Sequence, residues 1–392
     1  MTFFVTIVLL LLLGHAFFLV SGIWNVRRLH SKYKTHPILP NQNTNVHVFV
    51  PIYKFDKKAE NCLIQLLNQR RKPDLVVTIV EAKNTSLVNQ LQTYQNEYSY
   101  LKVVLAEQAT TCSQKNLNLI TGIKAYPDSK YYAFCDADVS LSPNWLSDFL
   151  YRKENHPEVD IVSSHQTIRN ANGFGNFYYM GIHAMMIALG SNPLIKLSGV
   201  WAGSYIISKS AFDRAKVLGE WSKQVVDDVV LQKLINRKRL TTIFAPEYIL
   251  LSEPSEMTLI QSLRWFIKQM TFVKLYTPEV WIPLVFNHTL IALSYISLLL
   301  IPIFAMIHPD HTLLLLVLAF GIFLHLLSLG LLYLVKKEKD ESYTNWIYYM
   351  FLGMILVGIV FIITIFKYTI LWAGRKYFLK WNGEVKKIVE IN

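Results

Sequence analysis

Four long apolar runs limit what this chain can fold into. Thr2 to Ile23, Leu284 to Ile307, Thr312 to Val335 and Trp346 to Trp372 are each long enough to cross a hydrocarbon core of about 30 Å as a helix. The hydrophobic content of 52% and mean hydropathy of +0.29 are high for a soluble protein, so an integral, multi-pass membrane protein is expected. The first run has no charge before it and no small-x-small cleavage site. It is followed by Arg27, Arg28, Lys32 and Lys34. It therefore reads as an anchor with its carboxyl flank in the cytoplasm, not as a cleaved signal.

The net charge of +12 excludes less than it seems to. Many of the basic residues flank apolar runs, as in Arg27-Arg28, Lys336-Lys337 and Arg375-Lys376. Anionic lipid head groups are then the economical partner, and no nucleic acid is expected. The cysteines, Cys62, Cys112 and Cys135, have neither metal-type spacing nor the makings of a disulfide framework.

Between the first run and the second lies a stretch of ordinary globular composition. His36 to Asn45 reads as a polar linker. After it, strand-like runs (Val46 to Pro51, Leu75 to Val80, Leu101 to Leu105, Tyr131 to Cys135) alternate with helical ones (Asp56 to Arg70, Ser86 to Glu97, Cys112 to Ala125). That alternation predicts βαβ crossovers and a mostly parallel sheet. The expected domains are an anchor (1–24), a basic linker (25–45), an α/β domain (46–255), interfacial helices (256–283), three transmembrane or re-entrant helices (284–373) and a tail (374–392).

Three clusters carry chemistry. Cys135-Asp136-Ala137-Asp138 ends the fourth predicted strand, where ligands of open α/β sheets bind. Two aspartates one residue apart can share a hard cation that neutralises a diphosphate leaving group; a solvated turn or helix cap fits the same residues. Asp227-Asp228, inside Val225 to Val230, places adjacent carboxylates in an apolar run. That is costly unless they cap a helix, pair, or act on a substrate proton. Gln261-Ser-Leu-Arg264-Trp265 falls within Glu256 to Tyr276, where Leu259, Leu263, Phe266, Met270 and Val273 make the stripe of an interfacial helix. There an arginine can bind diphosphate and an indole can stack on an acceptor, and both equally serve as membrane anchors.

In this order the motifs resemble the D, DxD, D, QxxRW set of the inverting, lipid-directed and processive glycosyltransferases with a GT-A fold. The chain is most similar to the ceramide glucosyltransferase family and its bacterial, hopanoid-associated relatives. Ser113-Gln-Lys-Asn-Leu-Asn-Leu, Gly199-Val-Trp-Ala-Gly-Ser204, Trp372-Ala-Gly-Arg-Lys-Tyr377 and Asn382-Gly-Glu384 extend the likeness along nearly the whole chain. The resemblance implies an α/β GT-A (nucleotide-diphospho-sugar transferase) fold with a mostly parallel sheet, plus transmembrane helices. It implies a divalent cation, Mg2+ or Mn2+, on Asp136 and Asp138, and Asp228 as the catalytic base. Gln261, Arg264 and Trp265 would hold the diphosphate and acceptor. Asp136, Lys115 and His165 fall at nucleotide-sugar positions, and Asn118 lies in the same segment as Lys115. Where the family places an aspartate after the second strand, this chain reads Ile79-Val-Glu81-Ala-Lys-Asn84. Either Glu81 takes its place with a one-residue shift, accepting from uracil N3 or a ribose hydroxyl, or the nucleotide preference has changed.

The reaction so implied is transfer of a sugar, glucose from UDP-glucose, to the hydroxyl of a membrane lipid such as ceramide. The catalytic domain would be cytoplasmic, at the inner membrane of a bacterium or the Golgi or endoplasmic reticulum of a eukaryote. A processive polysaccharide synthase, a polyprenyl-phosphate sugar transferase and a non-catalytic membrane scaffold are the alternative readings. Three crossings after the domain would leave the basic tail outside, against the positive-inside rule. A tail on the domain's own side, with one run re-entrant or interfacial and Gly353 and Gly358 as points for a bend, is therefore expected.

Overall fold

A computed structural model describes residues 2–33, 44–168, 173–192, 199–252, 257–298, 300, 303, 306–307, 311–335 and 343–391. The expected linker falls outside these apart from Thr44 and Asn45, as do the basic positions 336–339. The chain divides into two units. One comprises Lys32–Gln166, Ser198–Ser252 and Tyr368–Asn392; the other comprises Met1–Ser31, Thr167–Leu197 and Glu253–Lys367.

In chain order the strands are β1 (Val46–Pro51), β2 (Leu75–Glu81), β3 (Leu101–Ala106), β4 (Tyr131–Phe134), β5 (Ile161–Ser163), β6 (Gln166–Ile168), β7 (Tyr205–Ser208), β8 (Thr242–Phe244), β9 (Leu250–Ser252), β10 (Thr369–Trp372), β11 (Arg375–Leu379) and β12 (Val385–Glu390). The main sheet of the first unit runs β3-β2-β1-β4-β7-β5-β8. All its pairings are parallel except those of β7, which is antiparallel to both β4 and β5. The interiors of β1 and β2 are buried on both faces, which is why they read as unbroken apolar runs rather than as alternation.

The helices are α1 (Thr2–Tyr33), α2 (Lys57–Leu67), α3 (Thr85–Glu97), α4 (Gln114–Ala125), α5 (Trp145–Glu154), α6 (Gly173–Gly190), α7 (Lys209–Arg214), α8 (Val217–Trp221), α9 (Asp228–Asn236), α10 (Leu259–Tyr276), α11 (Pro278–Leu298), α12 (Thr312–Leu331) and α13 (Tyr343–Ile365). Asp56, Asn84 and Ser113 cap α2, α3 and α4, accepting from Ala59, Leu87 and Asn116 N–H groups. Each cap satisfies an amide that the first turn leaves open.

The last apolar run does not stay helical to Trp372. α13 ends at Ile365, and Thr369–Trp372 turns back as β10 against β11. Ala373 and Gly374 make the two-residue turn at φ of 50° and 70°, the conformation that a tight hairpin requires. The tail is thus a three-stranded antiparallel sheet, β10-β11-β12, in the same unit as the α/β domain.

Among the described residues the other unit holds four helices long and apolar enough to cross a membrane: Phe3–Lys32, Pro278–Leu298, Thr312–Val335 and Asn345–Ile365. α1 continues beyond Ile23 to Tyr33, so its basic residues extend one helix. Gly353 and Gly358 do not interrupt α13, which is helical from Tyr343 to Ile365. Gly358 instead lets α13 approach α11, because a Cβ there would lie 2.4 Å from Ala292 Cβ and 3.0 Å from the His288 carbonyl oxygen. Polar side chains cross-link the bundle: His15 Nδ1 and His325 Nε2 are 2.7 Å apart, and the Tyr295 hydroxyl is 2.8 Å from His325 Nδ1. The unforeseen element is α6, which also belongs to this unit. Phe174 to Leu189 is interrupted only by glycines, Asn176 and His183, a run that marks a buried helix when read for length.

Candidate active site

The carboxylates converge at the carboxyl end of β4. Phe134 stacks on Tyr205 (4.6 Å between ring centroids) and on Phe49 (5.7 Å), which anchors the strand so that Asp136 and Asp138 emerge just beyond it. Asp136 Oδ1 lies 2.7 Å from Lys115 Nζ, and the same ammonium lies 3.0 Å from Asp227 Oδ1. The second contact is an ion pair without hydrogen-bond alignment, since Asp227 Oδ1 is buried with no hydrogen-bond partner. Burial alone would discharge Lys115, but Asp136, Asp227 and Asp228 outweigh it and raise its pKa, so it stays an ammonium ion. Asp138 stands at the exposed lip.

Asp228 opens α9. Its Oδ2 accepts from the Ala202 N–H at 3.1 Å and its Oδ1 from the Val229 N–H at 2.7 Å. The side chain keeps one edge open to solvent but is set deep in the fold. Withdrawal of water is the largest cause of its shift and the neighbouring Asp227 the next; together they push its pKa up to about 7. That is a value suited to a general base near neutrality. Asp227 makes no side-chain cap, while Asp228 stands in the first turn of α9, where an acidic side chain also suits the helix N-terminus.

The surrounding polar residues mostly hold this arrangement. In the segment Ser113 to Leu119, Asn116 Nδ2 donates to the Trp221 and Gln224 carbonyls, at 3.2 and 3.0 Å. Asn118 Nδ2 donates to the Ile79 carbonyl at 3.2 Å and its Oδ1 accepts from Gln114 at 2.8 Å. Asn118 is therefore a buried bolt between α4 and β2, while Lys115 is the residue of this segment that reaches the carboxylates. His165 is buried and stacks on Trp201, with centroids 5.2 Å apart and rings within 3° of parallel. Its Nδ1 accepts from the Gln166 N–H at 2.8 Å, and burial lowers its pKa to about 4. The Trp201 N–H is held in turn by Ser163 Oγ at 3.0 Å, so His165 braces the segment whose Ala202 N–H holds Asp228.

Glu81 ends β2 already paired. Both its oxygens accept from Arg375 Nη2, at 2.7 and 2.8 Å, and Lys83 Nζ lies 3.3 Å from Oε1. Nothing in the run after β2 signals this pairing, because Arg375 lies 294 residues away.

Gln261, Arg264 and Trp265 lie on α10, in the unit of long apolar helices. Gln261 completes a capping box with Thr258: its Oε1 accepts from the Thr258 N–H at 2.8 Å. Arg264 is exposed. Trp265 packs on Tyr179 and His183 of α6, with centroids 4.3 and 5.1 Å apart. The buried face of α10 centres on Ser262, Phe266, Met270 and Leu275, rotated from the predicted stripe because α6 and α13 pack against it.

Among the described residues no three His, Cys, Asp or Glu side chains converge as a metal cage. The donor set nonetheless suits a hard cation. Asp136, Asp138, Asp227 and Asp228 face a single ammonium, and two carboxylates with substrate phosphates and water are the usual holding of Mg2+ or Mn2+.

The sequence model of glycosyl transferase family 21 matches residues 10–385. The chain belongs to this family. No curated protein matches its sequence. Among solved structures, this family 21 chain is similar to a mannosyltransferase, PcManGT, from Pyrobaculum calidifontis in complex with GDP-Man and Mn2+. That pair share 14% identity over 92% of this chain and 99% of the other, with a TM-score of 0.49. Glucosyl-3-phosphoglycerate synthase from Mycobacterium tuberculosis, in complex with Mn2+, UDP and glucosyl-3-phosphoglycerate, matches over 61% of this chain and 85% of the other at 10% identity and a TM-score of 0.42. Both are likenesses of loose architecture. As a family 21 member built on a mostly parallel α/β sheet, the protein is a glycosyltransferase with, among the described residues, four helices of membrane-spanning length.

Proposed function

We propose that this glycosyltransferase moves glucose from UDP-glucose to the hydroxyl of a membrane lipid such as ceramide, with inversion in a single displacement. The observation that carries the reading is the Asp136–Lys115–Asp227 chain of contacts beside Asp228, whose pKa stands near 7. Asp228 takes the proton of the acceptor hydroxyl, and the Ala202 N–H keeps its carboxylate oriented during attack. Asp136 and Asp138 would hold Mg2+ or Mn2+, which when bound neutralises the departing diphosphate. Lys115 supplies fixed positive charge between the two halves of the site. Glu81 contacts the nucleoside. The motif resemblance assigns Arg264 and Gln261 to the diphosphate and Trp265 to the acceptor. The reaction is placed at the cytoplasmic face because the basic flank of α1 favours that side.

The test is direct. Full-length protein in nanodiscs is given UDP-glucose and ceramide with Mn2+, with Mg2+, or with chelator, and the lipid product is read by mass spectrometry. Glucosylceramide formed with either cation and lost with chelator supports the reading. Hydrolysis or transfer from GDP-mannose alone would replace the donor, and a product on another lipid would replace the acceptor.

A further inference from the structure

The C-terminal sheet meets the α/β domain at the ends of several neighbouring strands. Arg375, 3% exposed, holds both oxygens of Glu81 at the end of β2 and also reaches Glu390 Oε1 at 3.1 Å. Glu390 Oε1 accepts as well from Lys83 at 2.5 Å and from Gln108, just beyond β3, at 3.1 Å. The buried Tyr377 side chain lies beside the Gln114 backbone at the start of α4, one residue before Lys115. The Val385 N–H donates to the Lys223 carbonyl at 2.9 Å, in the loop that leads to Asp227. Near the end of β1, Tyr53 lies so close to Gly374 that a Cβ on Gly374 would stand 3.1 Å from its hydroxyl. These are the carboxyl ends of parallel strands, where the ligands of open α/β sheets bind.

We propose that Arg375 is a positioning residue for the donor nucleotide, acting through Glu81, so that the C-terminal sheet is a wall of the donor site. This rests on the reading of Glu81 as the nucleoside contact. Arg375 fixes the plane of the Glu81 carboxylate with one nitrogen, which leaves lone pairs on both oxygens for an N–H or ribose hydroxyl. The charges also balance: Glu81 and Glu390 against Arg375 and Lys83 give a cluster of no net charge. A bare Glu81 would instead repel an incoming diphosphate. The Nε and Nη1 groups of Arg375 are buried with no aligned hydrogen-bond partner, so the fold alone does not use the full guanidinium.

The test uses full-length protein in nanodiscs and the variants Arg375→Met, Arg375→Lys, Glu81→Gln and the double Arg375→Met/Glu81→Gln. UDP and GDP affinity, donor and acceptor KM, kcat and Tm are measured for each. Arg375→Met should raise the UDP Kd and donor KM about tenfold, the scale of one charge-assisted hydrogen bond, with kcat and acceptor KM little changed. The double variant should be no worse than Arg375→Met, since both remove one interaction, and Arg375→Lys should recover part of the loss. If Arg375→Met does not fold, Arg375→Lys and Glu81→Gln carry the same comparison. Unchanged UDP affinity in a folded variant overturns the proposal, as do additive losses in the double. A fall in Tm and kcat at constant nucleotide affinity also overturns it, and makes the pair a latch of the fold. Wild-type protein that binds neither UDP nor GDP would sink the donor reading itself, whereas normal binding with an inert Arg375 sinks this proposal alone.

Discussion

At the scale of single residues, the site is defined by how charge is distributed over four carboxylates and one ammonium. Asp228→Asn keeps the shape and the Ala202 contact but removes the base. Transfer should fall about a thousandfold, the middle of the range for a lost general base, while UDP-glucose still binds. Near-wild-type turnover in that variant would take Asp228 out of this role. The pH profile carries a sign. With its pKa near 7, Asp228 is protonated below that value, so kcat should drop about tenfold per pH unit under pH 7 and level off above it. Lys115 lowers the Asp228 pKa by its charge, so Lys115→Met should move the acid limb to higher pH. A limb that stays still in Lys115→Met would show that another group limits the rate. The sequence pointed to Asp136 and Asp138 by their place at the end of a strand and to Asp228 by the cost of carboxylates in an apolar run. The pairing of Glu81 and the bracing by His165 were not legible there, since both depend on partners far away in the chain.

At the scale of elements, close approach and buried pairing set the vulnerabilities. Gly358→Val would thrust side-chain atoms into Ala292 and the His288 carbonyl. It should lower stability by about 2 kcal/mol, read as a drop in Tm in detergent. An unchanged Tm would mean that α11 and α13 separate freely. In the α/β domain, Arg152 on α5 stands 3.6 Å from Glu247, with both side chains at most 4% exposed. Burial pushes the Glu247 pKa up to about 7 and Arg152 opposes it. Arg152→Met should strand the carboxyl and destabilise the fold by about 3 kcal/mol at pH 8. The loss should shrink at pH 5, where Glu247 is protonated in the fold and its charge no longer needs a partner. An equal loss at both pH values would assign the cost to packing. Strand and helix positions in the first half of the α/β domain followed from periodicity and caps. β10, hidden inside an apolar run, followed only from its pairing with β11.

At the scale of the whole molecule, the C-terminal sheet constrains how often the chain crosses a membrane. Ser252 and Tyr368 both belong to the α/β unit, and a compact unit of this kind is expected to stand wholly on one face of a bilayer. The segment between them is then predicted to cross an even number of times, although among the described residues three of its helices are long and apolar enough to do so. A topology reporter placed after Ile391 should respond from the same face as one inserted in the loop before Asp128. Reporters on opposite faces would require the sheet to leave its contacts with Glu81 and Lys223.

Apolar length, strand and helix periodicity and the order of acidic motifs are local properties, so the sequence by itself determined an α/β glycosyltransferase with helices of membrane-spanning length and marked the carboxylates proposed for its site. Which charges neutralise those carboxylates is a matter of contacts between distant segments. Only the tertiary structure decided that Lys115 bridges Asp136 and Asp227, that His165 serves Asp228 through Trp201 and that Arg375 claims Glu81. Burial and long-range pairing set the protonation and orientation of a side chain, and neither is written in its neighbours along the chain.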